Sequence, residues 1–450
     1  NQFRIFYKFE WLDEMIDFYD KVVQSGYNTQ YESYKYGDDE RYHSTRLYHH
    51  LNANGQLFSQ LKYNVSASHQ YQKRIIETFR YNISDAVEMN NKEQKDQSME
   101  VLYSIGTLSH FFKDKKYDLQ VGYEAVSNKG FSIVDEENSQ KKEVSKNIDN
   151  LDFFAVSEIE LSERIKIRPG VRYSFQSLFE NQYAISLGSN FLLPKNFEFR
   201  ASIGKSYRTP IFEELYSKNI FDGHYFIGNE NLVPEKSTSY EVSLQKQSEL
   251  NSNLKLLNGF KASYLDVNDK IVNTITGYDG ATPIYENINI SQYRSINFAL
   301  TNQLQTGRWK FNLGISLTGI SRRLDGTSAE TKDEYLYNFN LNSSIAYTVP
   351  NWKTTFSAYY KFTGKAQQYE ETADGYELKE LEAYSLLDTS VKKVFWKNKI
   401  EVTAGARNLF DVGSLNQSST TQGAIHATSS QILLAYGRSY FLKLTYNLNF

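Results

Sequence analysis

Residues 440–450, YFLKLTYNLNF, place Tyr440, Leu442, Leu444, Tyr446, Leu448 and Phe450 on one face, and Phe441, Lys443, Thr445, Asn447 and Asn449 on the other. Successive side chains of an extended chain point to opposite faces, so this alternation reads as a strand with one apolar and one polar side. The pattern recurs upstream. Trp309, Phe311, Leu313, Ile315 and Leu317 interleave with Lys310, Asn312, Gly314, Ser316 and Thr318. Ile165, Ile167, Val171, Tyr173 and Phe175 interleave with Lys166, Arg168, Gly170, Arg172 and Ser174, with Pro169 on the apolar face. Trp352, Phe356, Ala358, Tyr360 and Phe362 repeat it, as do Phe197, Phe199, Ala201 and Ile203. Each segment runs about 9 to 13 residues, longer than the roughly 5 to 6 of a soluble strand and close to the roughly 9 to 11 that a tilted strand needs to cross a bilayer. Several carry Trp, Tyr or Phe near the ends of the apolar face, where the two membrane interfaces would lie.

About 18 such segments follow one another, joined by links that alternate in length. Short links fall near 58–61, 113–116, 162–164, 194–196, 247–253, 306–308, 350–351 and 397–398. Long polar links fall near 12–40, 84–97, 132–148, 209–235, 273–290, 325–333, 366–380 and 413–437, with one short link, 177–182, on the same side. The expected fold is all-β: a transmembrane antiparallel β-barrel occupying residues 1–450 as one domain, with short turns on the periplasmic side and long loops outside. A large soluble β protein, such as a propeller or stacked sandwich, is the competing reading; strand length and link parity argue against it.

The 450 residues carry a formal net charge of -3, with 40% hydrophobic and 23% charged residues, so no strongly basic domain suggests a nucleic-acid partner. The absence of cysteine excludes disulfide scaffolds, thiolate metal sites and cysteine nucleophiles. The 35 Tyr and 29 Phe favour strands. A mean hydropathy of -0.57 and the lack of a long apolar run argue against membrane-spanning helices. They leave a barrel open, because a barrel strand offers lipid only every second residue. The opening Asn1, Gln2, Phe3 has no basic or apolar leader character and reads as a mature or truncated chain.

Residues 201–244 carry a more specific signal. Ala201 to Pro210 reads ASIGKSYRTP, with Tyr207, Arg208 and Pro210; Glu213, Glu214, Leu215 and Tyr216 follow. Next come Gly228 to Ser237, GNENLVPEKS, with Asn229, Asn231, Leu232 and Glu235, and then Tyr240 and Glu241. This block resembles the mid-barrel signature of TonB-dependent outer-membrane receptors. Arg407, Asn408, Leu409, Phe410 and Asp411 resemble the penultimate-strand motif of that family, and the terminal Phe450 resembles the signal read by the barrel-assembly machinery. Arg168 to Tyr173, RPGVRY, is similar to another of its strands, and the Lys, Asn and Tyr richness is similar to Bacteroidetes members. The resemblance implies an N-terminal plug domain carrying the TonB box and a barrel of about 22 strands. The expectation is therefore that the plug and roughly four strands precede Asn1, and that this portion alone is an unclosed sheet with two exposed edges.

The resemblance also implies an active importer of an iron chelate, haem or a ferric siderophore, with no permanently bound cofactor. TonB is its energy-supplying partner through the plug, outer-membrane lipid surrounds it, and a surface lipoprotein is a further candidate partner. Haem receptors of the family carry a Phe-Arg-Ala-Pro box and an Asn-Pro-Asp/Asn-Leu box with a ligand histidine between them. Here Tyr207 to Pro210 and Asn229 to Leu232 stand at those places, with Thr209 for Ala, Glu230 for Pro, and His224 between. A neutral imidazole suits haem iron, Tyr216 or Tyr225 would supply a phenolate or a stacking face, and His426 is a second candidate ligand. The plain alternative is that His224 is a solvated loop residue and that Arg208 and Glu214 pair structurally in the barrel wall. Exposed Tyr225, Phe226 and Tyr278 would grip a flat chelate or pack loop on loop.

The first link holds Asp13, Glu14, Asp17, Asp20, Glu32, Asp38, Asp39 and Glu40 without calcium-loop spacing, and reads as a solvated acidic stretch. No catalytic motif is present, and Glu213 and Glu214, placed on a strand, would point to opposite faces. A cobalamin or other nutrient importer of the same family and a passive pore remain open as alternatives, the latter requiring an intact protein without a plug.

Overall fold

The computed structural model describes residues 3–27, 33–58, 60–112, 116–135, 141–221, 224–251, 253–280, 282–323, 333–372, 375–416 and 431–447. Among them, eighteen wall strands form one antiparallel sheet. They are β1 (Arg4–Phe18), β2 (Ser33–Leu57), β3 (Leu61–Asn82), β4 (Val87–Ser109), β5 (Tyr117–Asp135), β6 (Lys141–Ser162), β7 (Ile165–Gln176), β8 (Gln182–Leu193) and β9 (Phe197–Arg208). The remainder are β10 (Glu235–Asn251), β11 (Leu254–Asp279), β12 (Thr282–Thr306), β13 (Trp309–Arg323), β14 (Leu336–Val349), β15 (Thr354–Thr363), β16 (Tyr384–Phe395), β17 (Ile400–Arg407) and β18 (Ser439–Tyr446). Each pairs with the next, but among the described residues β1 and β18 do not pair with each other, so the sheet has two open edges.

The register keeps each apolar set on one face. Phe153 lies opposite Tyr173, which lies opposite Tyr183; Phe298 lies opposite Leu317, which lies opposite Phe339. A one-residue slip would turn the whole set inward, so the alternation fixes the register. These side chains point outward and stay accessible, Phe153 at 52% and Tyr183 at 58%. A soluble sheet would cover such a face; a bilayer does the same. Inward positions are polar: Arg172 pairs with Glu124 at 2.9 Å and with Asp152 at 3.1 Å.

The eight short turns lie at one end of the wall, where the sequence places them. Three of the four tryptophans, Trp309, Trp352 and Trp396, stand there, and Trp309 packs against Tyr347 with ring centroids 4.4 Å apart. This is the aromatic ring expected at a membrane interface. Gly307, at φ 51°, closes the turn between β12 and β13 in a conformation that costs other residues about 1 kcal/mol.

The opposite end departs from expectation. The stretch 273–290 is not a loop: β11 and β12, of 26 and 25 residues, stay paired from Leu254 opposite Thr306 to Asp279 opposite Thr282. At roughly 3.3 Å per residue this hairpin spans about 80 Å along the strands, far beyond a bilayer. Likewise 84–97 reduces to a turn at residues 83–86, most of 132–148 is strand, and β1 and β2 enter 12–40 from both sides. Outside the hydrocarbon neither face needs to be apolar, so polar sequence continues the ladder without the period-2 signal that marks strands.

The links that remain carry small elements: a helix α1 (Phe212–Tyr216), and hairpins Lys218–Phe221 with His224–Ile227, Ala366–Thr372 with Gly375–Leu381, and Ser414–Asn416 with Gln431–Leu433. The last hairpin is tied to the link before β16. Glu382 receives the Asn416 backbone N–H at 2.8 Å and the Asn416 amide at 3.0 Å, which hold its carboxylate below the usual range. A lowered folded pKa means that the tie is complete above the ordinary carboxylate value and is lost as pH falls through the folded value. The protection of the Asn416 amide, its exchange rate relative to the intrinsic rate at the same pH, is therefore expected to fall on acidification in wild type, and to be low throughout in Glu382→Gln.

Candidate functional site

β9 pairs with β8 as far as Lys205 and with β10 as far as Arg208. Pro210, fully buried, then ends the ladder because it has no N–H to donate. The chain turns into α1, contrary to the strand expected for Glu213 and Glu214. Glu214 Oε2 accepts the Ile211 N–H at 2.9 Å, a reach-back typical of a third helical residue. Ile211 has no side-chain acceptor, so only that half of a capping box exists.

The apolar side of α1 makes the core of the molecule. Phe212 (3% exposed) and Leu215 (2%) cluster with Leu232 from the same link, Ile148 of β6 and Ile271 of β11. Burying side chains of this size contributes about 1.5–3 kcal/mol each. The Phe212 ring packs against Gly130 of β5, where a methyl group would overlap it. Gly228 similarly lets the returning chain touch the Leu215 backbone: a Cβ there would sit 2.7 Å from the Leu215 carbonyl carbon. The link is thus pressed onto the inner wall at the long-loop end.

An ionic brace holds its two ends together. Arg208 Nε and Nη2 donate to Glu235 Oε1 at 2.9 and 2.7 Å, and Nη1 donates to both Glu214 oxygens at 3.0 Å. Glu235 is buried and also accepts the Ile271 N–H at 3.0 Å. The planar guanidinium is suited to this two-sided grip. Asn229 donates its backbone N–H to the Glu214 carbonyl at 2.9 Å and its amide to the Asn287 carbonyl at 3.0 Å, while its Oδ1 accepts the Asn231 N–H at 2.9 Å. Asn289 accepts the Val233 N–H at 2.9 Å and donates to the Val233 and Asp269 carbonyls at 3.0 and 2.6 Å. Tyr207 reaches Asp152 on the inner wall at 3.5 Å.

Arg208, Glu214 and Glu235 therefore form one brace, Asn229 ties the link to the Glu214 carbonyl and to Asn287, and Leu232 packs in the apolar cluster with Leu215. The sequence reading did not single out Phe212, Asn287 or Asn289. The only trace of the two asparagines is the alternation ENINI at 286–290, in which the amides take every second position. Tyr216, half-buried, packs 5.3 Å from the Phe212 ring and lies under Lys146, whose Nζ is 5.5 Å from its centroid. Burial and the nearby Glu230 push its phenol up, which disfavours a phenolate at neutral pH. Tyr225 is half-buried, opposite Ile220 and beside Ile284. Phe226 stacks on Tyr285 at 5.1 Å. His224 pairs with Phe221 in the hairpin, and its side chain lies outside the described residues, as do that of Tyr278 and the whole of His426 and Phe450.

The 407–411 motif is a turn. Asn408, buried at φ 51°, accepts the Val412 N–H at 3.1 Å, donates to the Val412 carbonyl at 2.9 Å, and donates its own N–H to Asp388 at 2.8 Å. Leu409 donates to the Leu387 carbonyl at 2.8 Å, and Phe410 sits edge-on to Tyr360. Asn408→Ala loses both side-chain bonds at a left-handed position and is expected to cost about 2 kcal/mol, read as a lower unfolding midpoint of the barrel.

Three acidic residues of the first link have basic partners: Asp13 has His43 at 2.6 Å, Asp17 has Arg41 at 2.8 Å and Asp38 has Arg80 at 2.7 Å. Among the described residues no group of three or more His, Cys, Asp or Glu is placed to hold a metal ion.

The profile of the family described as TonB dependent receptor-like, beta-barrel matches residues 3–409. The ferrienterobactin receptor of Escherichia coli (strain K12) is 25% identical over 280 residues, 57% of this chain and 36% of that protein. The vitamin B12 transporter BtuB of Vibrio cholerae is 28% identical over 233 residues, 52% of this chain and 33% of that protein. The matched region spans about a third of the length of these curated relatives. A mutant of the ferric enterobactin receptor PfeA from Pseudomonas aeruginosa superposes with a TM-score of 0.68 at 16% identity, covering 92% of this chain and 66% of that one. The siderophore receptor PirA from Acinetobacter baumannii gives 0.67 at 15%, covering 98% and 71%. At these identities the likeness to the solved structures is one of fold.

Proposed function

This chain belongs to the TonB-dependent receptor-like β-barrel family, a family of outer-membrane receptors, and from that premise we propose that it is the barrel wall of a receptor importing an iron chelate, a ferric siderophore or haem. The observation that carries the reading is the braced link after β9. It holds α1 against the inner face of the wall, while the hairpin His224–Ile227 pairs edge-on with residues 284–286 of β12 at the end away from the short turns; in this reading the ligand enters past that end. A rigid wall with variable links at its rim is a suitable frame for ligand selection. The names of the ferrienterobactin, PfeA and PirA relatives favour a ferric siderophore over haem.

In this reading the short-turn end faces the periplasm and the long links face outward. A plug supplied by residues outside this chain closes the lumen, and TonB acts on that plug. The barrel-assembly machinery inserts the wall, and a surface lipoprotein is a further partner on the outer side. The BtuB similarity supports a second reading, a corrinoid importer.

The test is titration of the full-length receptor in detergent with ferric enterobactin, haemin and cobalamin, following tryptophan fluorescence and the haem Soret band. Saturable quenching by the ferric siderophore is expected. A saturable Soret shift that is lost in His224→Ala would move the assignment to haem, and binding of cobalamin alone would move it to the corrinoid reading. Failure of all three to bind would overturn the importer of these nutrients.

A further inference from the structure

Wall strands of unequal height leave backbone edges at the rim, and two of these edges are covered by short strands of the chain itself. β12 outreaches β13, whose pairing ends with Gln292 opposite Arg323, and its residues 284–286 are covered by residues 225–227. β2 outreaches β1, whose pairing ends with Glu40 opposite Phe18, and its residues 33–36 are covered by Val23–Tyr27. β6 also outreaches a neighbour. β7 ends at Gln176 opposite Asn150, and residues 141–149 of β6 continue with β5 on one side only.

Asp149 shows which backbone groups face the open side. Its carbonyl accepts the Ser177 N–H at 2.9 Å and its N–H donates to Ser177 Oγ at 2.8 Å, so its backbone points toward β7. In an antiparallel ladder this direction alternates from residue to residue, so the N–H and C=O of Asn147, Ser145 and Glu143 point the same way, past the end of β7. Among the described residues these six groups make no hydrogen bond, and all three residues are exposed. Asp149 lies thirteen residues from Ser162, the last residue of β6 at the short-turn end. At roughly 3.3 Å per residue and a tilt of about 40°, that is about 33 Å above the turn, beyond an apolar band about 25 Å tall. Unpaired backbone would be excluded from the hydrocarbon, but here it stands in water and open to other proteins.

The edge is basic. It carries Lys141, Lys142 and Lys146 against one acid, Glu143, whose charge also acts on Lys95 of β4. Lys141 donates to the neutral Gln94 amide oxygen at 3.1 Å, and the Lys146 ammonium lies over the Tyr216 ring. Lysines on a strand edge oppose its pairing with a second copy of itself, because like charges would face each other. The same lysines favour a strand of opposite sign.

We infer that residues 143–147 of β6 form a docking edge for an extended acidic peptide segment of a partner protein, which adds as a strand above the end of β7 with its carboxylates beside the lysines. Main-chain hydrogen bonds supply the grip and the charges select the sequence. The inference rests on the long-link end facing outward and is independent of which nutrient is imported.

The test uses the full-length receptor in neutral detergent and a capped peptide of alternating Glu and Val, compared with a peptide of alternating Lys and Val and with an N-methylated form of the first. Hydrogen exchange is followed across residues 141–149. The Glu and Val peptide is expected to protect the amides of Glu143, Ser145 and Asn147 saturably, and both comparison peptides to bind about tenfold more weakly or worse. Ser145→Pro removes one open-side N–H without touching the ladder to β5, and should weaken peptide binding about tenfold. Lys142→Glu/Lys146→Glu should reverse the preference between the two charge types. Heat-modifiable migration shows that each variant is a folded barrel. Absence of saturable protection, or undiminished binding either of the N-methylated peptide or by the folded proline variant, would overturn strand docking. Equal binding of the acidic and basic peptides would overturn the acidic partner. Self-association of the receptor that Ser145→Pro abolishes would give the edge to a second copy and overturn it equally.

Discussion

Arg208→Ala is expected to detach the link after β9 from the wall and abolish ligand binding while leaving the barrel folded. The guanidinium joins Glu214 and Glu235, whose side chains are 19% and 9% exposed, and without it both carboxylates are left together at a poorly solvated place. Breaking a buried pair by removing one partner costs about 3–5 kcal/mol; because the Arg208 side chain is itself 42% exposed, we place the effect near 3 kcal/mol. Arg208→Lys keeps the charge but offers a compact ammonium where a fork reaches two acids, and should recover only part of the loss. Hydrogen exchange across residues 211–233 is the direct measurement. Protection there that survives Arg208→Ala would show that the apolar cluster alone holds the link.

Phe212→Ala tests that cluster, and its cost is expected to be about 3–5 kcal/mol in docking of the same link, since the ring is 3% exposed and clusters with Ile148 and Ile271 of the wall. Gly130→Ala should be as damaging for the opposite reason, because its methyl group would occupy the place of the Phe212 ring. Once Phe212 is alanine, the added methyl meets no ring. The double variant should therefore cost clearly less than the sum of the two single changes. Strict additivity in exchange-derived opening free energies would mean that the two residues do not meet.

The two sets of substitutions bear on how much was legible beforehand. The motif residues around Arg208 and Asn229 carry a family resemblance in the sequence, and the alternative that Arg208 and Glu214 pair structurally agrees with their geometry. Phe212 and Gly130 had no such signal. They are 82 positions apart in a chain whose local patterns connect neighbours only, and a glycine on a strand looks the same whether its missing side chain faces water or a ring. The link of Asn287 and Asn289 to the loop is likewise a long-range match of amides to backbone groups, which no periodicity encodes.

The strand count, the eight tight turns and the face turned to lipid follow from the sequence by itself, because an extended chain alternates its side chains and a bilayer demands an apolar residue at every second place within a fixed span. How far the walls rise above that span, that residues 212–216 turn into a helix, and which motif residues form the brace were decided only by tertiary structure. Beyond the hydrocarbon both faces are polar and the alternation carries no information. There, backbone pairing, the burial of α1 on Gly130, and the charges of Glu214 and Glu235 gathered on Arg208 determine the form.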